Sequence, residues 1–201
     1  RLDPVWEKYG VKIDILPGEV EAQLAYLGAA DGKRACVVDI GGASTELVAG
    51  DREVQRAVSL QIGAVRLKDR FGLDRKTAEK ELDALFTDQR SVFEIWQDAP
   101  LLGIGGTITT LAAMEQRMAV YDPQRINGFG LTRERVSTWV DELWPLPAER
   151  RVYPGLQPQR ADIIAHGALI LERCLTVLDR PKVCVCTGDN LKGYLAYKGV
   201  E

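Results

Sequence analysis

One short stretch, residues 37–48, constrains the fold of this chain more than any other; it reads VVDIGGASTELV. Two runs rich in β-branched residues, 35–40 and 45–49, flank a Gly-Gly-Ala-Ser turn. β-Branched side chains suit a pleated and partly buried surface, and glycine adopts turn conformations that other residues resist. The stretch therefore predicts a β-hairpin whose tip, Gly41 to Ser44, is nearly bare backbone.

The tip of this hairpin has the chemistry of an anion site. Successive backbone N–H groups in a tight turn form a small nest for an anion, and the hydroxyls of Ser44 and Thr45 add hydrogen-bond donors. Asp39 and Glu46 stand at the two ends of the tip. Because Mg²⁺ is usually held by one or two carboxylates together with phosphate oxygens, acids beside a phosphate nest favour a metal-assisted site. An ordinary glycine-rich hairpin with solvated acids is the alternative interpretation.

A second glycine turn follows a short apolar strand at 101–104, in the sequence GIGGTITTLAAM. A helix begins at once, so the N–H groups of its first turn, near Thr107, are left unpaired and form a second anion site. The turn matches the dinucleotide-binding fingerprint poorly, because Ile108 occupies the place of the third glycine, and the sequence contains no Walker A motif. The plainer alternative is an ordinary helix start capped by Thr107.

The composition argues against several classes of partner. The chain has 201 residues, enough for one large domain or two small ones, and 46% of them are hydrophobic. The net charge is −3, which predicts no broad basic surface for nucleic acid. No apolar run is long enough to span a membrane, and the first ten residues lack the apolar core of a signal peptide. The sequence begins without methionine, which favours a fragment of a longer protein.

The cysteines and the single histidine show little sign of chemistry. Cys36, Cys174, Cys184 and Cys186 lack the C-x-x-C pairs of a zinc site. Buried, reduced thiols in a cytoplasmic protein are the expected interpretation, without disulfides. His166 lies in a mostly apolar helical segment and is expected to be structural.

The remaining pattern predicts an α/β fold. An antiparallel meander over 35–60 is followed by alternating helical and strand patterns, which favours a mixed sheet with helices on both faces. Both glycine turns leave strand ends and are expected to converge at one edge of the sheet. The other predicted elements are strands at 11–16, 101–104 and 183–187, helices at 19–29, 64–71, 75–97, 132–143, 159–178 and 191–197, a helix after the second glycine turn, and a loop at 123–130.

Five segments resemble, in the same order, the signatures of the exopolyphosphatase/guanosine pentaphosphate phosphohydrolase family. DIGGASTELV resembles the family's DIGGGSTEL, SLQIGAVRLKDRFG its SLPLGAVRLTERF, and GIGGTITTLAAM its GTGGTATTLA. PGEVEAQL resembles its SGxEEARL, and PQRADIIAHGALIL its RADIIxxGxxIL helix. The resemblance implies a ribonuclease-H-like fold of the actin, Hsp70 and sugar-kinase superfamily, and it identifies the chain with the second half of the catalytic core. Residues 1–30 would then join from the missing first half, and residues 31–201 would form the second domain.

The same resemblance implies roles for individual residues. Glu21 matches the family's proposed catalytic glutamate, which orients or deprotonates the attacking water. Asp39 and Glu46 match acids that bind Mg²⁺ or another divalent cation or help to hold the water, so Glu46 is also a catalytic candidate. The implied phosphate-binding residues are Gly41, Gly42, Ser44 and Thr45 in the first turn and Gly105, Gly106 and Thr107 in the second.

Three positions depart from the family's pattern: Ala43 replaces a glycine, Val20 an acid and Lys192 an arginine. The methyl group of Ala43 would restrict the first turn if a positive φ is needed there. The Lys192 replacement puts a local contact in doubt rather than the fold, and Val20 lies beside the position of the implied catalytic glutamate.

The activity that the resemblance implies is Mg²⁺-dependent hydrolysis of a terminal phosphoanhydride, in polyphosphate or guanosine pentaphosphate, by a cytoplasmic enzyme that is a homodimer when intact. Two alternatives remain open. The chain is a non-catalytic half that binds phosphate or dimerises, because an actin-like site lies in the cleft between two halves. A half of a sugar or acetate kinase is the weaker alternative, since Glu21 and the GASTEL turn match the phosphatase family more specifically.

Overall fold

The computed structural model describes residues 8, 10, 17–188 and 190–198, in which six strands form one sheet of order β3-β2-β1-β4-β6-β5. The strands are β1 (Ala35–Ile40), β2 (Thr45–Asp51), β3 (Glu53–Leu60), β4 (Leu101–Ile104), β5 (Gly130–Thr132) and β6 (Lys182–Val185). The helices are α1 (Gly18–Ala30), α2 (Ala64–Phe71), α3 (Arg75–Asp88), α4 (Arg90–Phe93), α5 (Gly106–Glu115), α6 (Pro123–Ile126), α7 (Arg133–Leu143), α8 (Ile164–Val177) and α9 (Asn190–Tyr197). The strand predicted at 11–16 lies outside the described residues.

The sheet is mixed, as the sequence predicts. β1, β2 and β3 form the antiparallel meander, and β4 pairs with β1 in parallel. β6 continues the sheet in parallel with β4, and the short β5 pairs with β6 in the opposite direction. Because β1 and β4 run in the same direction, their carboxyl ends lie at the same edge of the sheet, and both glycine turns begin there.

Both faces of the sheet are covered by helices. Cys36, Val38 and Ile40 belong to the main core, which they share with the helices that follow β3. Ala35 and Val37 point to the opposite face, because side chains alternate along a strand. On that face they pack against side chains of α1, namely Ala22, Ala25 and Tyr26. α9 packs on α1 in turn.

The helix predicted over 75–97 is divided in the structure. α3 begins after Asp74, whose carboxylate accepts a hydrogen bond from the Thr77 amide at 3.1 Å, and it ends at Asp88. A four-residue helix, α4, and a 3₁₀ turn at Glu94–Trp96 follow. Phe86 and Phe93 are both buried, so the apolar period continues across the break and hides it from the sequence pattern.

Two further elements differ from the sequence-based expectation. β5 and the single turn α6 occupy the region predicted as a loop at 123–130 and the residues just after it. A three-residue strand is too short to show a period of its own and forms here by pairing with β6. α8 begins at Ile164 rather than at 159, because the carbonyls of Ala161 and Asp162 accept hydrogen bonds from the Arg151 guanidinium. A 3₁₀ turn occupies Pro158–Arg160.

Within the described residues, no helix has the length and apolar character needed to cross a membrane. All four cysteines are free thiols, as expected; Cys36 and Cys174 are buried, whereas Cys184 and Cys186 are only partly buried. His166 is buried on α8, and its Nε2 lies 2.7 Å from the carbonyl oxygen of Gly72.

Candidate phosphate and metal site

The three predicted acids gather at one end of the sheet, on the face that α1 covers. Asp39 on β1 lies directly opposite Glu46 on β2 in the antiparallel register. Val37 lies two positions before Asp39, and Val48 lies two positions after Glu46; both valines pack in the core beneath α1. Since residues two positions apart share a face of the strand, both acids point to that face as well. Glu21 lies in the first turn of α1 and interacts electrostatically with Glu46. The hairpin register and the docking of α1 together produce the cluster.

The cluster is electrostatically unfavourable while it holds only carboxylates. Burial raises the pKa of Asp39 to about 7, and the negative charges of Glu46 and Glu21 add to the shift. Burial, and then the charge of Glu46, also raises the pKa of Glu21. Glu46 is 2% exposed, and its Oε1 accepts a hydrogen bond from the Ser59 hydroxyl at 2.7 Å. Clustered carboxyl groups of this kind retain a proton or attract a cation.

The donor set fits a hydrated divalent cation rather than a cage made by the protein. In residues 17–188 and the other described positions, no group of three or more His, Cys, Asp or Glu side chains is arranged to chelate a metal. Mg²⁺ commonly keeps several waters and is bound by one or two carboxylates plus phosphate oxygens. Asp39 and Glu46 match that smaller requirement, because they are adjacent and lie beside the first glycine turn.

The first glycine turn presents free backbone donors. The Gly41 amide donates to the Ser44 carbonyl at 3.0 Å. In the part of the chain that the structure describes, the amides of Gly42, Ala43 and Ser44 donate to no acceptor. Three successive unpaired N–H groups in a turn form the type of nest that binds a phosphate oxygen.

Glycine at position 42 serves close packing rather than the turn conformation expected from the sequence. Gly41, Gly42 and Ala43 all lack a positive φ, so the turn needs no left-handed residue. The methyl group of Ala43 therefore causes no backbone conflict. A Cβ at Gly42 would lie 3.3 Å from Cγ2 of Val65, so glycine serves close approach at this position instead.

Gly63 supports the turn from below and was missed as a site residue by the sequence analysis. A Cβ at Gly63 would lie 2.5–2.7 Å from backbone atoms of Gly42 and Ala43. The bare backbone lets the start of α2 lie on the turn, where the Ala64 amide donates to the Gly41 carbonyl at 2.9 Å. Gly63 belongs to the SLQIGAVR segment, which resembles a family signature, but only the fold shows that this glycine contacts the turn.

Thr45 does not offer its hydroxyl to a ligand, contrary to the sequence-based expectation. The residue is fully buried, and its Oγ1 donates to the carbonyl of Ile62 at 2.6 Å. It therefore ties β2 to the segment before α2. Ser44 is partly exposed at the tip of the turn.

The second glycine turn lies against Asp39. Gly105 has a φ of 89°, and a Cβ there would overlap Oδ1 of Asp39, so both conformation and space demand glycine. The first amides of α5, those of Gly106, Thr107 and Ile108, donate to no acceptor among the described residues. Both sets of free amides therefore lie beside the same carboxylate pair, at the common edge of β1 and β4.

Arg160 is a second functional candidate that the sequence analysis missed. Its guanidinium lies on Gly106, where a Cβ would overlap the two terminal nitrogens. Within the described part of the chain, Arg160 forms no ion pair with a carboxylate. The PQRADII segment contains this arginine, but only the fold brings the segment to the second glycine turn.

Comparison with protein families gives one match across nearly the whole chain. The model of the Ppx/GppA phosphatase family matches residues 2–195. A bifunctional 3-dehydroquinate synthase/phosphatase of Fusobacterium nucleatum is 28% identical over 98% of this chain and 32% of its own length. Exopolyphosphatase 2 of Mycobacterium tuberculosis is 30% identical over 81% of this chain and 55% of its own length. A guanosine-5'-triphosphate,3'-diphosphate pyrophosphatase of Aliivibrio fischeri is 36% identical over 92% of this chain and 38% of its own length.

Solved structures of the same family share the fold. The Ppx/GppA phosphatase of Aquifex aeolicus superposes with a TM-score of 0.82 at 29% identity, over 98% of this chain and 68% of that one. An exopolyphosphatase-like protein superposes with a TM-score of 0.84 at 28% identity, over 98% of this chain and 71% of that one. These likenesses confirm the expected actin-like fold class. The chain spans between about a third and about half of the length of the curated relatives described above.

Proposed function

Because this chain belongs to the Ppx/GppA phosphatase family, we propose that the intact protein hydrolyses a terminal phosphoanhydride bond in polyphosphate or guanosine pentaphosphate. Two of the relatives are named for activities on these compounds. The observation that carries the proposal is the position of Glu21 beside the Asp39–Glu46 pair, at the edge where two turns present free amides.

The two glycine turns hold the phosphate chain. The free amides of Gly42, Ala43 and Ser44 bind oxygens of one phosphoryl group, and the first amides of α5 bind those of the next. Arg160, which has no carboxylate partner in the described chain, adds positive charge at the second turn. Thr45 holds the first turn in place through its bond to Ile62 and does not contact the substrate.

The acids organise charge and water around the scissile bond. When bound, a divalent cation near Asp39 and Glu46 offsets the negative charge of the phosphoryl oxygens. Glu21 is partly exposed and has a raised pKa, so it orients a water molecule and accepts its proton. Glu46 is fixed by Ser59 and faces both of the other acids. Positioning and charge neutralisation are the main requirements of phosphoryl transfer.

The proposal is tested by Glu21→Gln in the intact protein. The variant keeps the shape of the side chain and removes its basicity, so we expect phosphate release to fall by roughly 10²–10⁴-fold while polyphosphate binding is retained. Asp31→Asn is the matched control, because Asp31 is exposed at the other end of α1 and asparagine tolerates its left-handed backbone. Turnover of Glu21→Gln close to that of the control would contradict the assignment.

A second function is favoured by the length of the chain. Since the alignments cover only 32% and 55% of the lengths of two curated relatives, the second proposal is that the 201 residues alone form a non-catalytic phosphate-binding half of such an enzyme. Phosphate release by this chain at the rate of the intact protein would exclude this alternative. We also propose that the intact protein is a cytoplasmic homodimer, which fractionation and light scattering test directly.

A further inference from the structure

Two adjoining cavities lie at the end of α2 that is remote from the phosphate turn. The first, of about 420 Å³, is bounded by the C-terminal end of α2 and the segment after α7, and its walls include Leu73, Trp144 and Leu146. The second, of about 470 Å³, lies between residues 148 and 162. Ala148, Arg151 and Asp162 line both cavities and form the wall between them.

Arg151 is a buried cation, and one nitrogen of its guanidinium has no hydrogen-bond acceptor among the described residues. The residue is 5% exposed; its Nε donates to the Leu143 carbonyl at 3.0 Å, and its Nη1 to the Ala161 carbonyl at 2.7 Å. Nη2 donates to no acceptor among the described residues. The protein does not enclose this nitrogen completely. Nη2 therefore reaches the open space that Arg151 lines.

No carboxylate compensates this charge directly. Arg151 forms no ion pair within 4.0 Å to any acid of the described chain, and burial lowers the pKa of its guanidinium. Among the acids, Asp162 has the largest electrostatic effect on Arg151, followed by Glu149. Oδ2 of Asp162, however, accepts a hydrogen bond from Nζ of Lys68 at 2.7 Å. The two cations and one anion leave a net positive charge at the rim of the first cavity.

The first cavity is also lined by the aromatic rings of Trp144 and His166. The Trp144 ring lies with its centroid 4.8 Å from that of His166. His166 is held by its bond to Gly72, and Nε1 of Trp144 donates to the Leu73 carbonyl at 3.1 Å, so both rings are fixed in place. Fixed aromatic rings present a surface for an apolar or aromatic body without further loss of side-chain entropy.

We propose that this first cavity binds a small monocarboxylate with an aromatic or branched apolar body. The carboxylate accepts from Nη2 of Arg151, and the body lies on Trp144. Nε and Nη1 are already used, so the guanidinium offers one charge-assisted hydrogen bond, which matches a single negative charge. The apolar walls do not compensate the second negative charge that a phosphate ester carries. The site is therefore distinct in ligand chemistry from the phosphate turns.

The test compares three ligands of similar size on the full chain by calorimetric titration: 3-phenylpropionate, 3-phenylpropan-1-ol and phenyl phosphate. We expect the carboxylate to bind at least about ten-fold more tightly than the alcohol or the phosphate ester. Equal binding of the three ligands, or no binding of the carboxylate, overturns the proposal.

Variants then locate the binding site. Ala148→Trp fills the shared wall from a partly exposed position and is expected to weaken 3-phenylpropionate binding by about ten-fold or more. Arg151→Gln is expected to remove the preference for the acid over the alcohol. If Arg151→Gln fails to fold, the result for Ala148→Trp decides the test. Val120→Trp, at an exposed position outside both cavities, is the matched control. Unchanged carboxylate binding in Ala148→Trp overturns the assignment to this cavity.

Discussion

Asp39 on β1 and Glu46 on β2 are direct cross-strand partners, and both point toward the helix that carries Glu21. Two like charges placed opposite each other destabilise a hairpin unless something else occupies the space between them. The hairpin nevertheless keeps both acids, and the same edge of the sheet carries two sets of free amides. A site that costs stability and gathers anion and cation ligands is typical of function.

The first prediction concerns the pH dependence that Asp39 causes. Its pKa is raised from 3.8 to about 7 in the folded chain. Between these two values the folded state keeps a proton on Asp39 that the unfolded state has released. The free energy of unfolding therefore decreases as pH rises from 4 through 7. In chelator, we expect Asp39→Asn to be more stable than the natural chain at pH 8, by up to about 4 kcal/mol, and to lose that advantage at pH 4. Urea unfolding at both pH values measures the difference, and an equal effect at both would contradict the buried-charge explanation.

The second prediction concerns His166, for which stability changes with pH in the opposite direction. Burial lowers the pKa of this histidine, and the charges of Arg151 and Lys68 act in the same direction. Nε2 must carry the proton that bonds the Gly72 carbonyl, while Nδ1 has no partner among the residues that the structure describes. The unfolded chain therefore takes up a proton below its pKa of about 6.5, and the stability of the folded chain falls as pH drops from 7 to 5.

His166→Gln keeps an N–H donor for Gly72 and removes the titration. We expect the natural chain to lose at most about 2 kcal/mol more than this variant between pH 7 and pH 5. Urea unfolding of both proteins at the two pH values gives the comparison. Parallel losses in the two proteins would show that other groups cause the acid sensitivity.

The third prediction tests the contact between α2 and the first glycine turn. Gly63 has an ordinary extended backbone, with φ −136° and ψ 177°, so alanine is allowed there conformationally. Its Cβ would nevertheless collide with the Gly42 carbonyl. We expect Gly63→Ala to lower the free energy of unfolding by about 1–3 kcal/mol and to reduce kcat/KM of the intact protein, because the turn must move. Gly130→Ala, where the nearest atom is 3.9 Å away, serves as the control, and equal effects of the two changes would refute the contact.

The fourth prediction concerns Arg160. Because it lies on Gly106 and has no acidic partner in the described chain, we expect Arg160→Gln to raise KM of the intact protein by about 10–100-fold with little loss of stability. Steady-state phosphate release together with thermal unfolding separates the two effects. Arg150→Gln, at an exposed position on a neighbouring turn, is expected to change neither quantity. A loss of stability without a change in KM would make Arg160 a packing residue.

Local sequence patterns predict much of this architecture. The apolar, β-branched run Ala35–Ile40 and the strand pattern of Glu53–Leu60 place these strands correctly, and the capping residues Asp74 and Thr132 mark their helix starts. These features depend on neighbours in sequence, so a short window contains the information. The break after α3 and the strand β5 leave no such trace, because each is decided by pairing and packing with distant segments.

The site divides in the same way. The amino-acid pattern identifies the acids and both glycine turns, since bare backbone and carboxylates are properties of the residues themselves. The availability of the Thr45 hydroxyl, the contact of Gly63 with the turn and the placement of Arg160 on Gly106 are long-range facts. They join segments from 17 to 54 positions apart, and only packing in three dimensions brings such segments into contact.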